Sequence, residues 1–184
     1  MITDKPALRA SMRALRKRLA ETDPSASGRV ADHAGDLPAG ETVALYRAVG
    51  AELDPEPLAQ ALIAVGRRLC LPVAIQRDAP LVFRRWSPGE PLEMDVAGCP
   101  APLPLAEEVT PDLIIAPLLA FDAAGSRLGQ GGGYYDRTFA ALPEAVRVGL
   151  AYEGQRVEAL PILPHDVALH GVLTEVGYTP ARKV

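Results

Sequence analysis

A nearly continuous apolar run leads into a glycine-rich loop in the second half of the chain. Residues 112–116 read DLIIA, and residues 129–133 read GQGGG just before a helical pattern begins at Tyr134. A strand that is covered on both faces, as in the middle of a parallel sheet, has such an apolar run. Ligands of these sheets bind beyond the carboxyl ends of the strands. The pattern therefore predicts an α/β sheet with a ligand site after residue 116.

Strand and helix patterns alternate on both sides of this run. Hydrophobic periodicity predicts helices at residues 57–68 and 134–142, and strands at residues 42–46, 69–75, 81–86, 112–116, 146–152 and 172–176. This alternation is typical of a three-layer α/β/α architecture with a mostly parallel central sheet. Residues 88–111 are rich in proline and are predicted to form a long irregular surface excursion within a single domain of residues 1–184.

The first predicted helix has an apolar stripe beside a basic face. Its apolar residues recur at helical spacing at Leu8, Met12, Leu15 and Leu19. Thr3 or Asp4 can cap the helix start. Residues 5–18 contain six basic side chains and no acidic one. This face is either simply solvated or an anion clamp, in which Lys5 and Arg9, four residues apart, act from the same side of the helix.

The charge balance and the apolar runs restrict the class of partner. The 184 residues carry 19 Lys and Arg against 23 Asp and Glu, a formal net charge of −4, which argues against a broad nucleic-acid surface. No apolar run approaches the roughly 20 residues that a membrane helix needs. Cys70 and Cys99 form no CxxC pair and indicate a reducing compartment, with Cys70 buried in a strand. We therefore expect a cytoplasmic protein that acts on small molecules as a monomer.

The glycine loop combines features that hold phosphate groups. Its glycines leave the backbone free to adopt positive φ and to approach a ligand closely, and the helix N-terminus at Tyr134 presents unpaired N–H groups. Arg127 and Arg137 flank the loop and can bond phosphate oxygens, and Asp136 is a hard oxygen ligand suited to Mg2+. The loop matches neither the GxGxxG fingerprint nor the GK[ST] ending of the P-loop. The residues alone thus predict a phosphate cradle without identifying its ligand.

Residues 120–137 read AFDAAGSRLGQGGGYYDR, and this block resembles the signature of the 5-formyltetrahydrofolate cyclo-ligase family, also called methenyltetrahydrofolate synthetase. Lys5-x-x-Leu-Arg9 is similar to the family's N-terminal helix start, and residues 46–52 and 155–175 resemble its folate segment and its C-terminal pattern. Residues 90–105 depart from the family's pattern, and no role is carried over to them. The resemblance implies a fold similar to the sugar-isomerase and CoA-transferase-like folds.

The resemblance also implies an ATP-dependent cyclisation of 5-formyltetrahydrofolate to 5,10-methenyltetrahydrofolate, with release of ADP and phosphate. It implies catalytic roles for Lys5, Arg9, Arg127 and Asp136. The ATP contacts it implies are Lys5, Arg9, Arg127, Leu128, Gly129, Gln130, Gly131, Gly132, Gly133, Tyr134 and Tyr135. The folate contacts it implies are Arg47, Glu52, Gln130, Gly131, Gly132, Gly133 and Tyr134. The Mg2+ ligands it implies are Asp136 and Asp166.

Several of these residues also have plainer interpretations. Glu52 is either the acid that faces the pterin or an ordinary loop glutamate, and Asp166 is either a metal ligand or a surface turn residue. Trp86 either stacks on the folate or, as we favour, belongs to the core. His165 and His170 have no cysteine partners, so no zinc site is expected. The alternative function is a non-catalytic protein of the same fold that binds folate and nucleotide.

Overall fold

A computed structural model of the chain describes residues 5–182. Within that range the strands are β1 (Thr42–Ala44), β2 (Arg68–Val73), β3 (Val82–Arg85), β4 (Leu92–Met94), β5 (Pro100–Pro102), β6 (Leu113–Pro117), β7 (Ala120–Phe121), β8 (Arg127–Leu128), β9 (Val146–Leu150), β10 (Gly171–Thr174) and β11 (Gly177–Pro180). In the described part of the chain, seven of them form one sheet in the order β11-β10-β9-β6-β1-β2-β3. Neighbours from β10 to β2 pair in parallel, whereas the edge pairs β10–β11 and β2–β3 are antiparallel. The predicted mostly parallel central sheet is confirmed.

Helices cover both faces of this sheet. The α-helices of residues 5–182 are α1 (Lys5–Thr22), α2 (Ala26–Asp32), α3 (Glu56–Ala64) and α4 (Tyr134–Ala141). Helices α2 and α3 contribute to one hydrophobic core, and α4 contributes Phe139 to a second core. Strand β6 alternates between the two, with Leu113 and Ile115 in the first core and Ile114 and Ala116 in the second. An apolar run with both faces buried is therefore the central strand, as predicted.

Two side chains with a predicted core position are buried. Trp86 is 3% exposed and packs in the first core, which confirms the interpretation that we favour. Cys70 lies in β2 and is completely buried. Burial, together with the negative charge of Asp112, raises the pKa of the Cys70 thiol to about 12, so this cysteine stays protonated.

Residues 88–111 are more regular than predicted. Strands β4 and β5 form an antiparallel hairpin in which Glu93 pairs with Ala101. In a two-stranded sheet, every second residue of a strand directs its N–H group away from the partner strand. Pro100 and Pro102 are two positions apart and can both occupy such positions, where the missing N–H group costs no hydrogen bond. The prediction of a wholly irregular excursion is therefore wrong.

Some element boundaries also differ from those predicted. Helix α3 ends at Ala64 and not at residue 68, because Gly66 adopts a φ of 84° and Arg68 already pairs with Thr42 in the sheet. Helix α2 and strand β11 were not predicted. The predicted cap of α1 at Thr3 or Asp4 lies outside the described residues.

Helix α1 lies against the segment that follows the central strand. Met12 is buried together with Leu119 and Leu128, and Leu8 and Leu15 pack against the same cluster. The predicted apolar stripe therefore fixes α1 beyond the carboxyl end of β6, beside the glycine loop. None of the helices within residues 5–182 is long and apolar enough to cross a membrane.

Candidate active site

A cavity of about 600 Å³ opens at the carboxyl ends of the parallel strands. The glycine loop, the segment after β1 and the turn of the β4–β5 hairpin contribute to its wall. Most of the predicted site residues line it: Arg9, Arg47, Glu52, Arg127, Gly129, Gln130, Gly131, Gly132, Gly133, Tyr134, Tyr135, Asp136 and Asp166. Of the predicted set, all described by the structure, Lys5 and Leu128 are outside this lining: Lys5 pairs with Asp166, and Leu128 is buried in the core.

The glycine loop owes its path to two residues in the left-handed region of backbone space. Gly131 has a φ of 106° and Gly133 a φ of 70°, conformations that side chains with a Cβ adopt only with strain. Gly133 is also the residue that precedes helix α4. The first N–H groups of α4, which have no partners within the helix, therefore lie at the end of this loop.

Basic side chains of α1 hold the glycine loop from one side. The Arg9 Nε donates to the Gly129 carbonyl oxygen at 3.0 Å. The Arg13 Nε donates to the Oε1 of Gln130 at 2.9 Å. Positions four residues apart share one face of a helix, and this regular spacing was the signal in the sequence that could have identified Arg13. The basic face of α1 is thus engaged with the loop and is not merely solvated.

Arg127 and Asp136 form an ion pair at the floor of the cavity. The Arg127 Nη2 lies 2.6 Å from the Oδ1 of Asp136, and only 6% of the Arg127 side chain is exposed. The Arg127 guanidinium also lies over the Phe139 ring, 5.0 Å from its centroid. Burial lowers the pKa of Arg127, and the charge of Asp136 opposes that effect. The pair places a fixed cation and a fixed carboxylate beside the loop.

Asp166 forms a second ion pair, with Lys5 at the start of α1. The Lys5 Nζ and the backbone N–H of Leu163 both donate to the Oδ2 of Asp166, each at 2.8 Å. Burial acts to raise the pKa of Asp166, but these two hydrogen bonds and the charge of Lys5 outweigh it and hold the pKa below its ordinary value. Asp166 is therefore a carboxylate in the cavity wall.

A different charge arrangement lies in the segment that follows β1. The Oε2 of Glu52 accepts a hydrogen bond from the Val49 N–H at 3.0 Å, and its Oε1 lies 3.6 Å from the Nη1 of Arg16. Burial raises the pKa of Glu52, whereas the Val49 hydrogen bond and the charge of Arg16 act in the opposite direction. Arg16 was not predicted as part of the site. In the sequence it is one of six basic residues in α1, and nothing there distinguishes it.

Arg47 presents a cation on the same wall. Its guanidinium pairs with Glu56 and lies over the Trp86 ring, 5.5 Å from the centroid. Trp86 therefore supports a cavity residue from the core.

The turn of the β4–β5 hairpin completes the wall, and sequence reasoning assigned no role to it. Asp95, Ala97, Gly98, Cys99 and Pro100 line the cavity. Asp95 fixes the turn, because its carboxylate accepts hydrogen bonds from the N–H groups of Ala97, Cys99 and Ala74. The spacing Asp95-x-x-Gly98, typical of a turn, was the available signal.

Two of the acidic side chains in the wall, Asp136 and Asp166, have the chemistry that a divalent cation requires. Mg2+ is held in proteins by one or two carboxylates together with water and substrate phosphates. The hydrogen bonds found within residues 5–182 reach the Oδ1 of Asp136 and the Oδ2 of Asp166. The other oxygen of Asp166, Oδ1, lies 3.7 Å from the Nε2 of His165, so a cation there would share that oxygen with the His165 ring. The described residues contain no cluster of three or more His, Cys, Asp or Glu side chains around one point. The donor set fits a cation that arrives with phosphates.

Comparison with known proteins identifies the family. A sequence model of the 5-formyltetrahydrofolate cyclo-ligase family matches residues 1–175. The chain is 38% identical over 140 residues to the 5-formyltetrahydrofolate cyclo-ligase of Escherichia coli (strain K12), which covers 72% of this chain and 77% of that relative. It is 34% identical over 176 residues to the Haemophilus influenzae 5-formyltetrahydrofolate cyclo-ligase. That alignment covers 90% of this chain and 91% of the relative.

A solved structure agrees with the sequence relatives. The fold is similar to the NMR structure of Aquifex aeolicus 5,10-methenyltetrahydrofolate synthetase, with a TM-score of 0.81 and 30% identity over 98% of this chain and 94% of that one. These relatives are named as a cyclo-ligase or a synthetase. The chain is thus an enzyme, and it belongs to the 5-formyltetrahydrofolate cyclo-ligase family.

Proposed function

We propose that the chain catalyses the ATP-dependent cyclisation of 5-formyltetrahydrofolate to 5,10-methenyltetrahydrofolate, with ADP and phosphate as the other products. The observation that carries the proposal is one cavity that joins two kinds of recognition. The glycine loop and the cations beside it suit the phosphates of ATP, and the buried carboxylate of Glu52 suits the N–H groups of a pterin. The cavity takes residues from Arg9 to Asp166, so we propose that the whole chain acts as one catalytic unit, as a monomer.

The chemistry requires activation of a poor leaving group. The formyl oxygen attacks the γ-phosphorus of ATP, the bond between that phosphorus and the β-γ bridging oxygen breaks, and ADP leaves. The N10 nitrogen then attacks the formyl carbon, the carbon–oxygen bond breaks, phosphate leaves, and N10 loses its proton to water. Phosphoryl transfer of this kind needs positioning and charge neutralisation from the protein, and no covalent protein intermediate.

The residues of the glycine loop take the phosphate role in this proposal. The N–H groups of residues 129–135 and the N-terminus of α4 point partial positive charge at the phosphates. Arg9 and Arg127, which both lie beside the loop, add full positive charges. Lys5 adds a third when its ammonium group exchanges Asp166 for a phosphate oxygen.

Asp136 and Asp166 are the residues that would hold Mg2+. When bound, the ion would neutralise negative charge on the ATP phosphates. The Arg127 hydrogen bond fixes the Asp136 side chain in the wall, so that its second oxygen stays in one position. The Leu163 N–H does the same for Asp166.

The folate role falls to the other wall of the cavity. Glu52 accepts hydrogen bonds from the amino and ring N–H groups of the pterin, and Arg47 offers a cation to the negatively charged substrate. Residues 130–134 lie between the two regions and contact both substrates. This arrangement brings the formyl oxygen and the γ-phosphate to one place.

A direct assay tests the proposal. Purified protein is mixed with 5-formyltetrahydrofolate and Mg-ATP, and absorbance is followed in the near-ultraviolet band of the methenyl product. We expect absorbance to grow only when protein, folate and ATP are all present. Tight binding of both substrates with a flat absorbance trace would overturn the proposed reaction.

Separate Lys5→Ala and Arg9→Ala substitutions are expected to weaken the use of ATP. A hydrogen bond between charged groups contributes about 1.5–3 kcal/mol, so each variant should lose at least about tenfold in kcat/KM for ATP. Steady-state kinetics with ATP varied at saturating folate measures this loss. Lys17→Ala is the control, because the Lys17 side chain is on the same helix and 73% exposed. Wild-type kinetics in both variants would refute the phosphate role of Lys5 and Arg9.

A further inference from the structure

We infer that Arg16 is a positioning residue of the folate site, which holds the Glu52 carboxylate charged and oriented toward the pterin. The inference rests on the proposed function, because it assigns the pterin to Glu52. It adds a residue that contacts neither substrate. Arg16 would act on folate recognition only through its neighbour.

The geometry places Arg16 directly behind Glu52. Glu52 lines the cavity, whereas Arg16 is not among the described residues that line it. The Arg16 Nη1 lies 3.6 Å from the Oε1 of Glu52, and the exposed fractions of the two side chains are 7% and 9%. At such burial the attraction between opposite charges is screened much less than at the protein surface.

The Arg16 side chain is held in place by the loop after the central strand. Its Nη1 donates to the Leu118 carbonyl oxygen at 3.2 Å. The buried Gln155 amide donates to the same oxygen at 2.9 Å and to the Leu119 oxygen at 2.9 Å. These hydrogen bonds keep the Arg16 side chain from turning toward solvent, and its charge stays beside Glu52.

Stability alone explains this pair poorly. The Arg16 Nε is buried and has no hydrogen-bond partner within residues 5–182. Buried ion pairs with incomplete hydrogen bonding are often no more stable than well-packed apolar side chains of the same volume. Such charges concentrate at functional sites, where a group must stay charged despite burial.

The other ionisable groups near Glu52 do not replace Arg16. Tyr46 precedes the Glu52 segment, Tyr135 projects from α4, and Cys99 belongs to the hairpin turn; the charge of Glu52 acts on all three. Burial raises the pKa of each, so they are neutral at physiological pH. Among the described residues that act on Glu52 by charge, Arg16 is the cation.

The test measures binding of 5-formyltetrahydrofolate by titration calorimetry without ATP, so that no turnover is needed. Arg16→Met removes the charge and keeps the volume, and we expect it to weaken folate binding about tenfold or more, with ATP binding unchanged. Arg16→Lys keeps a charge and should recover part of the affinity. The control is Arg18→Met, which removes an exposed arginine from the same helix.

A double-mutant comparison separates positioning from structural support. In a Glu52→Gln background there is no carboxylate to hold, so adding Arg16→Met should cause no further loss of folate affinity. The double variant leaves no unpaired buried charge, so it is expected to fold even if Arg16→Met alone does not. A further loss in the Glu52→Gln background, or an equal loss of ATP binding, would overturn the inference.

The pH dependence of binding gives an independent readout. Burial already raises the pKa of Glu52, and Arg16 opposes that effect, so removing Arg16 raises it further. The loss of folate affinity at acid pH should therefore begin at a higher pH in Arg16→Met than in the wild type, and this limb should be absent in Glu52→Gln. An unshifted limb would contradict the inference. Absence of folate binding by the wild-type protein would instead overturn the proposed function itself.

Discussion

The Gly131→Val substitution is expected to lower kcat/KM for ATP by about a hundredfold or more, which corresponds to roughly 2.7 kcal/mol. At a φ of 106° valine is strained, and a Cβ at this position would lie 3.3 Å from the central guanidinium carbon of Arg9. The loop must therefore move away from the path that presents its N–H groups to phosphate. Steady-state kinetics and the melting temperature with and without Mg-ATP measure the effect.

A matched control is available in an exposed turn whose glycine does not line the cavity. Gly89 has a φ of 92°, and a Cβ there would meet no atom within 4 Å. Gly89→Val therefore carries the same kind of backbone strain without touching the site. We expect Mg-ATP to raise the melting temperature of Gly89→Val and to have no effect on Gly131→Val. A Gly131→Val protein that Mg-ATP still stabilises would mean that these glycines serve the fold and not the phosphates.

Asp136→Asn is expected to lower kcat by about a hundredfold, roughly 2.7 kcal/mol, with little change in KM for folate. The amide keeps the shape of the side chain and can still accept from Arg127. It loses the negative charge that holds a cation and balances the buried guanidinium. Kinetics over a series of Mg2+ concentrations measures the loss, which should be largest where Mg2+ is limiting.

Glu144→Gln provides the comparison for Asp136→Asn, because it removes a carboxylate from an exposed position just after α4. This control should keep the kinetics of the wild type. Normal turnover by Asp136→Asn at limiting Mg2+ would refute the metal role. A rise in KM for folate as large as the fall in kcat would mean that Asp136 maintains the structure of the whole cavity and has no specific role toward the metal.

The parts of the fold that the sequence predicted well are those with local signals. Strand β6 was identified from its apolar run, and helix α4 from the glycines before it and Tyr134 at its start. The strands of the parallel sheet were each found to within a few residues. Helix α2 was missed because seven residues are too few for a clear period, and β11 because a strand ending in Pro180 resembles an edge without regular structure.

In the candidate site, too, residue types predicted those residues that are close together in sequence, and did not predict those that only the tertiary fold brings together. The glycine loop is continuous in sequence, so its composition and its neighbours on both sides were visible together. Arg16 and Glu52 are separated by the whole of α2 and β1, and only the tertiary fold brings their charges together. The hairpin turn at residues 95–100 reaches the cavity through long-range packing, which composition does not encode. Residue types could therefore indicate the proposed phosphate region, whereas the proposed folate contacts Arg47 and Glu52 came only from the family resemblance.

The position of α1 sets the distance between the two halves of the cavity. Lys5 and Arg16 are eleven positions apart, which is about 16 Å along a helix axis. Lys5 contacts Asp166, Arg9 and Arg13 hold the glycine loop, and Arg16 stands behind Glu52. One helix thus contacts both the proposed phosphate region and the proposed pterin region. Where binding at one end of the helix changes affinity at the other, linkage makes the factor identical in both directions.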